Sequence, residues 1–208
     1  MSSLFISLEG GEGAGKSTQA KLLAAFLRSQ GHQVVLTREP GGTDLGATLR
    51  QLFLQSDSLT PPTELFLLMA DRSHHVSQLI KPALAAGKIV ITDRFTDSTL
   101  AYQGFGHGID KNWIAQLNAE ATQGTMPQIT FWLDIDPEVG LVRARVKNHH
   151  QDRMEKLDLE FHQRVRSGFA HICHNEPDRV KLVDSSQPPE QVHQSIIRLL
   201  PQRLVSPP

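Results

Sequence analysis

Lys16 and Ser17 close the run Gly10-Gly11-Glu12-Gly13-Ala14-Gly15-Lys16-Ser17-Thr18, which has the G-x-x-x-x-G-K-[ST] spacing of a phosphate-cradling loop. Glycines there let the backbone wrap a polyphosphate, so that successive N–H groups and a helix N-terminus face the negative charge. Lys16 is then placed to reach the β and γ phosphates, and Ser17 to ligate Mg²⁺. The flanks agree: Leu4 to Leu8 is short, apolar and β-prone, and Thr18 to Gln30 carries Ala20, Leu22, Leu23, Ala25, Phe26 and Leu27 at helical spacing. Strand, glycine turn and helix in this order predict binding of a nucleoside triphosphate.

A second set of residues describes what receives the phosphoryl group. Thr37-Arg38-Glu39-Pro40-Gly41-Gly42-Thr43 follows one β-prone run, Arg50 and Arg72 sit on the next helical stretches, and Ile89-Val90-Ile91-Thr92-Asp93 ends on Arg94. An Asp at the end of a core strand can hold Mg²⁺ through water, and the adjacent Arg can clamp a second phosphate. Each arginine alone reads most simply as a solvated or ion-pairing cation. Four of them near one strand edge instead suit an acceptor that is itself charged. A GTPase would carry an N/T-K-x-D base-reading motif, and none occurs; a motor would end its strand in paired acids, where this chain has Asp93-Arg94.

Five β-prone runs, Leu4–Leu8, Gln33–Thr37, Lys88–Thr92, Gln128–Asp134 and Arg179–Asp184, alternate with helical stretches at 43–55, 62–86, 111–123, 137–147, 154–175 and 189–204. That alternation predicts an α/β fold, a five-stranded parallel sheet covered by helices on both faces, with ligands at the strand C-terminal edge. The polar break Lys147 to Arg153, flanked by Arg143 and Arg145, is the candidate for a short lid, roughly 143–155, within a single domain spanning 1–208. A 39% apolar and 21% charged composition is that of a globular protein, with only the last few residues reading as disordered. A net charge of −1 supplies no basic field for duplex nucleic acid. The single Cys173 excludes an internal disulfide and reads as a buried or half-buried small apolar residue. No basic, apolar leader and no run near ~20 apolar residues is present, so the expectation is no membrane and a cytoplasmic protein. The adjacent pairs His74-His75 and His149-His150 lack metal-ligand spacing, and no structural metal is expected.

Taken in order, the phosphate loop with Glu12, Thr-Arg-Glu-Pro-Gly-Gly-Thr, Ala70-Asp71-Arg72, Asp93-Arg94-Phe95 with Ser98, Ala101-Tyr102-Gln103-Gly104 and Asp152-Arg153 closely resemble thymidylate kinases of the bacterial type, from Phe5 to about Asp184. The resemblance implies a P-loop nucleoside monophosphate kinase fold and the reaction ATP plus dTMP to ADP plus dTDP, dependent on Mg²⁺ and run by a homodimer. It implies that Gly10 to Thr18 bind ATP, with Ser17 and, through water, Asp93 on the metal. Lys16, Arg94 and Arg153 would neutralise the transferred phosphoryl group, with Arg143 or Arg145 as the other lid candidates, because Gly13 stands where eukaryotic members carry an arginine. Glu12 would take the 3′-hydroxyl of dTMP. Arg38 and Arg94 would hold its phosphate, with Glu39 orienting them and Arg50 near by. Arg72 and Ser98 would read the thymine edges, Gln103 the base or its loop, and Tyr102 the deoxyribose. Leu68 occupies the position of an aromatic that commonly stacks on thymine, Phe66 points to another helix face, and His107 reads as an exposed loop residue. Two other readings remain: a kinase of the same fold acting on another nucleotide, nucleoside or small metabolite, and a nucleotide-dependent switch without an acceptor.

Overall fold

The computed structural model describes residues 3–56, 58–147 and 153–205; Asp152, the His149-His150 pair, the centre of the expected lid at 148–152 and the tail at 206–208 lie outside them. Five strands, β1 (Leu4–Glu9), β2 (Val34–Arg38), β3 (Ile89–Asp93), β4 (Ile129–Asp134) and β5 (Val180–Asp184), form one sheet in the order β2-β3-β1-β4-β5. Every pairing is parallel, with Leu8 beside Asp93 and Glu9 beside Trp132. β1 is buried along its whole length, and the sheet order reverses at it. Its C-terminal end is therefore the crevice where a doubly wound sheet takes ligands.

Period-two alternation sends β1 side chains to both layers. Leu4, Ile6 and Leu8 pack with Leu23 and Leu27 of α1 (Lys16–Ser29) and with Ile196 of α9 (Pro189–Arg198). Phe5 faces the other way, edge-on to Phe95 at 4.9 Å, in a cluster with Val76 and Ile80. α2 (Asp44–Gln55) begins at Thr43, whose hydroxyl accepts from Gly46 N at 3.0 Å, the side-chain cap that an extended β-region threonine supplies. α6 (Lys111–Thr122) and α7 (Pro137–Lys147) fall within the stretches that periodicity marks.

Three boundaries differ from the sequence expectation. The stretch 62–86 is α3 (Pro61–His75), a π turn over Val76–Ile80 and α4 (Lys81–Ala85). Pro82 has no amide hydrogen, and the preceding Lys81 N–H reaches five residues back to Val76 O. α8 spans Leu159–Asn175 rather than starting at 154, because Asp158 caps it through Phe161 N. The C-terminal helix stops at Arg198, ahead of Pro201. One element has no sequence signal: α5 (Thr96–Thr99) and the π turn Leu100–Gly106 that continues it. Weak helix formers and two glycines hide it, and α8 supplies the packing, so closely that a Cβ at Gly106 would lie 2.6 Å from the Phe161 ring. This element carries Ser98, Tyr102 and Gln103.

Candidate active site

The phosphate loop joins β1 to α1, and its glycines answer to contacts. A Cβ at Gly10, which has φ +143°, would lie 2.5 Å from Leu133 O, and one at Gly13, at φ +67°, would lie 1.9 Å from Gly140 O on α7. Gly140 answers in kind, since its own Cβ would lie 2.4 Å from Glu12 O. The loop and α7 thus meet backbone to backbone, and no side chain fits at position 13. Lys16 Nζ donates to Gly10 O at 3.1 Å and Gly11 O at 2.7 Å, curling over the mouth of the loop. Burial, helped by the Arg94 cation, pushes its ammonium down to about 8 against the pull of Glu12 and Asp93. Ser17 Oγ donates to Asp93 Oδ2 across the β1–β3 crevice.

Arg94 follows β3 with φ +73°, a left-handed conformation that a non-glycine residue adopts only where its surroundings hold it. The turn swings its guanidinium back over the loop. NH1 donates to Gly10 O and Ser98 Oγ, both at 3.1 Å, while NH2 donates to Glu12 Oε1 at 2.6 Å and Tyr102 OH at 3.1 Å. Tyr102 OH in turn donates to Glu12 Oε1 at 2.7 Å. Burial alone would raise the Glu12 carboxyl, but Arg94, Lys16 and the Tyr102 hydroxyl override it and hold it at about 2. The carboxylate within the phosphate loop is therefore neutralised before any substrate arrives.

Two cavities meet at this cluster. The larger, about 780 Å³, runs along the loop from Lys16 and Ser17 past Arg143 and Ala144 to Ser185, Gln187 and Pro189. The smaller lies between α2, α3 and the α5 element, walled by Phe53, Leu68, Arg72, Phe95 and Tyr102. Glu12, Glu39, Arg50 and Arg94 line both. Arg38 is exposed in the larger cavity, and Arg50 NH1 is tied to Pro40 O at 3.0 Å.

Arg72 is 2% exposed and held on three sides: Nε donates to Glu39 Oε2 at 2.8 Å, and NH1 to Thr99 Oγ1 at 2.9 Å and Asn118 Oδ1 at 2.5 Å. Its guanidinium carbon stands 5.2 Å from the Phe95 ring centroid. Glu39 also meets His75 Nδ1 at 2.9 Å, and His75 Nε2 meets Thr37 Oγ1 at 2.7 Å. A carboxylate can only accept, so Nδ1 donates to Glu39, while Nε2 and the Thr37 hydroxyl share the second bond. Gln103 is buried, donates to Glu64 Oε2 at 3.2 Å and leaves its Oε1 without a partner among the described residues.

The structure brings the loop, Arg94, Glu39, Arg50, Arg72, Ser98, Tyr102, Gln103 and Leu68 to one crevice, and it holds Arg153 on Glu64 rather than along the phosphate loop. Arg153 reaches the other way, pairing through NH1 with the buried Glu64 carboxylate of α3 and through Nε with Phe53 O at 3.2 Å, 5.0 Å above the Phe53 ring. A buried carboxylate demands a cation, and the lid arginine satisfies it. Arg143 is the lid-side arginine that lines the larger cavity, donating to Ser185 O and Ser186 O at 2.8 Å. His107 is not the exposed loop residue expected: it lies on the Phe161 ring at 4.7 Å with Nε2 3.3 Å from Glu64 Oε2. Phe66 is exposed and packs edge-on to Trp113, away from the cavity. Among the described residues no group of histidine, cysteine, aspartate and glutamate could hold a metal by itself.

Sequence reasoning missed Phe53, Thr99, Asn118, Glu64 and the 185–189 loop. The last had a usable signal, because it follows the C-terminal end of β5 on the ligand edge. The others act across elements distant in sequence, with no motif to announce them.

A family profile described as thymidylate kinase matches residues 8–196. A thymidylate kinase of Synechococcus sp. (strain JA-3-3Ab) is 51% identical over 203 residues, 98% of each chain. One from Gloeobacter violaceus is 50% identical over 184 residues, covering 88% of this chain and 87% of its own. The crystal structure of thymidylate kinase from Ehrlichia chaffeensis superposes with a TM-score of 0.80 at 40% identity, covering 97% of this chain and all of that one.

Proposed function

The chain belongs to the thymidylate kinase family and phosphorylates dTMP to dTDP with ATP, and we propose that the two cavities meeting at Glu12 and Arg94 are its donor and acceptor sites. The observation that carries this reading is the shared wall: a phosphoryl group passing between the cavities must pass Arg94, within reach of Lys16. Phosphoryl transfer asks mainly for alignment and charge neutralisation, which these residues supply without a covalent nucleophile.

On the donor side, Gly10 to Thr18 cradle the triphosphate of ATP, and its base end extends toward Arg143 and the 185–189 loop. Ser17 Oγ and Asp93 Oδ2 are hard oxygen donors facing one another at the loop mouth, a set that suits Mg²⁺, with Ser17 as direct ligand and Asp93 acting through water. The chemistry such an ion would supply at Ser17 and Asp93 is positive charge that offsets the charge developing on the phosphates. On the acceptor side, Arg94, with Arg38 and Arg50, grips the dTMP phosphate. Glu12 keeps Arg94 and Tyr102 aligned and accepts from the sugar hydroxyl, while Tyr102 crowds a 2′-hydroxyl. Arg72, steadied by Glu39, meets the ring oxygens with Ser98; Gln103 Oε1 is the free acceptor beside them. Phe53 and Leu68 form the apolar walls. In this arrangement Arg153 serves the acceptor pocket, and Lys16, Arg94 and Arg143 carry the charge of transfer.

We further propose one domain with a lid at about 143–155, a cytoplasmic setting where both nucleotides are supplied, no nucleic-acid partner, and a homodimer. Phe66, 54% exposed on α3, and Trp113 on α6 form an aromatic patch that supports the dimer. A coupled ADP-release assay against dTMP, dUMP, dCMP, GMP and thymidine tests the acceptor assignment. Turnover of dTMP no better than of the others would overturn it.

A further inference from the structure

Glu9 ends β1 on the same face as Phe5 and is fully buried. Its Oε1 accepts from Phe95 N at 2.7 Å, and its Oε2 lies 2.5 Å from Ser98 Oγ. Among the described residues no cation touches it. The charge packed beside it from α5 is Asp97, which Arg179 holds through two bonds of 2.8 and 2.9 Å. Arg94 is separated from it by Ser98, and Lys16 of α1 acts at longer range. A carboxyl closed off from water with an anion for a neighbour keeps its proton. Burial first, then Asp97, raise it to about 8 against the weaker pull of Ser98, Arg94 and Phe95 N.

Ser98 Oγ has one hydrogen and two lone pairs, and three claims on them: Glu9, Arg94 NH1 and the acceptor cavity that it lines. An ionised Glu9 can only accept, so it takes the hydrogen, and the cavity meets a lone pair. A protonated Glu9 donates instead. Both lone pairs are then filled, by Glu9 and Arg94, and the hydroxyl hydrogen is free to point into the cavity. We propose that Glu9 is a positioning residue that works by holding a proton, turning the Ser98 hydroxyl into a donor toward dTMP, whose phosphate and ring carbonyls are acceptors. When the proton leaves for solvent, the donor is withdrawn. The inference rests on the reading of Ser98 as part of the dTMP site.

The test compares wild type, Glu9→Gln and Ser98→Ala as full chains, with KM for dTMP measured at saturating ATP and Mg²⁺ at pH 7 and pH 9. Wild type should lose about fivefold in KM at pH 9, the worth of one hydrogen bond. In Glu9→Gln an amide N–H can donate to Ser98 at either pH, so the Ser98 part of the pH effect should vanish and its KM should rise about fivefold less than that of wild type. Lys16, whose ammonium Glu9 also pulls up, titrates over the same range, so the result is read as that difference between the enzymes. Infrared difference spectra of the wild type should carry a protonated-carboxyl band at pH 7 that fades by pH 9 and is missing from Glu9→Gln. Parallel pH profiles in the two enzymes, or no such band in wild type at pH 7, would overturn the role of Glu9, and the band decides even if the variant fails to fold. A Ser98→Ala enzyme with wild-type KM at pH 7 would instead remove Ser98 from the dTMP site and take the inference with it.

Discussion

Adding one methyl group at Gly140 should damage catalysis without altering any side chain that meets substrate. A Cβ there would lie 2.4 Å from Glu12 O and 3.2 Å from Ile135 Cγ2. Carbon and carbonyl oxygen come no closer than about 3.3 Å, so the loop and α7 must part by about 0.9 Å. The bonds that align Arg94 and Tyr102 on Glu12 are 2.6 and 2.7 Å long, and a shift of that size carries them to the edge of hydrogen bonding. Misplacement by about 1 Å costs on the order of 100-fold in rate. Gly140→Ala is therefore expected to lose about that factor in kcat/KM for dTMP and to unfold earlier, by about 1–3 kcal/mol. Helix propensity alone predicts the opposite sign, a gain of roughly 0.5–1 kcal/mol for replacing a mid-helix glycine, so the experiment separates the two. Gly11→Ala is the control: no atom lies within 4 Å of its Cβ, and its thermal midpoint should hold. A folded Gly140→Ala enzyme within about threefold of wild type would refute the reasoning, since such a loss is what a neutral surface change gives.

Arg153→Ala should raise KM for dTMP with little change in kcat, because the residue pairs with Glu64 beside the acceptor cavity; a fall in kcat alone, measured at saturating dTMP, would return it to the transferred phosphoryl group. Tyr102→Phe removes a hydroxyl bonded to both Glu12 and Arg94 and should weaken dTMP binding by about 1.5–3 kcal/mol, read by calorimetry. Glu12, held at about 2 against 4.5, contributes stability that is fully present above pH 4.5 and lost as the pH falls through 2, at most about 3 kcal/mol. Urea midpoints from pH 6 to pH 2 should therefore fall more steeply for wild type than for Glu12→Gln, and parallel curves would show the carboxylate gains nothing from Arg94.

The sheet was legible because each strand is a short apolar run between helices, and buried parallel strands look that way. The phosphate loop was legible because its chemistry is local: nine consecutive residues hold all its donors. Arg72 and Arg94 could be picked out as cations near a strand edge, but their supports could not. Arg72 depends on Glu39, Thr99 and Asn118, which come from three other elements. Nothing in the type or spacing of Asn118 distinguishes it from a surface asparagine on α6. The α5 element escaped because Thr, Ser and Gly score poorly as helix formers, and packing against α8 decides it. The contact that holds Arg153 was illegible for an electrostatic reason: its partner Glu64 lies 89 positions away and looks, in sequence, like a first-turn acid of an ordinary helix.

The position of Arg153 bears on how costly its release from Glu64 is. Withdrawing a cation from a buried carboxylate normally leaves that charge unpaired, at a cost of several kcal/mol. Glu64 is 1% exposed, yet it also meets Gln103 Nε2 at 3.2 Å and His107 Nε2 at 3.3 Å. Its carboxyl stays below the ordinary range because the His107 and Arg153 contacts together offset burial. When Arg153 leaves, Gln103 Nε2 and His107 Nε2 still stand against Glu64. Lys16 stands in a similar position, since the Gly10 and Gly11 carbonyls it now holds are weaker partners than phosphate oxygens. Both cations are parked on replaceable partners, whereas Arg94 is fixed by four bonds and a strained backbone. Rigid charge between the two cavities, with exchangeable charge on either side, is what the proposed transfer between two bound anions would need in order to keep one geometry.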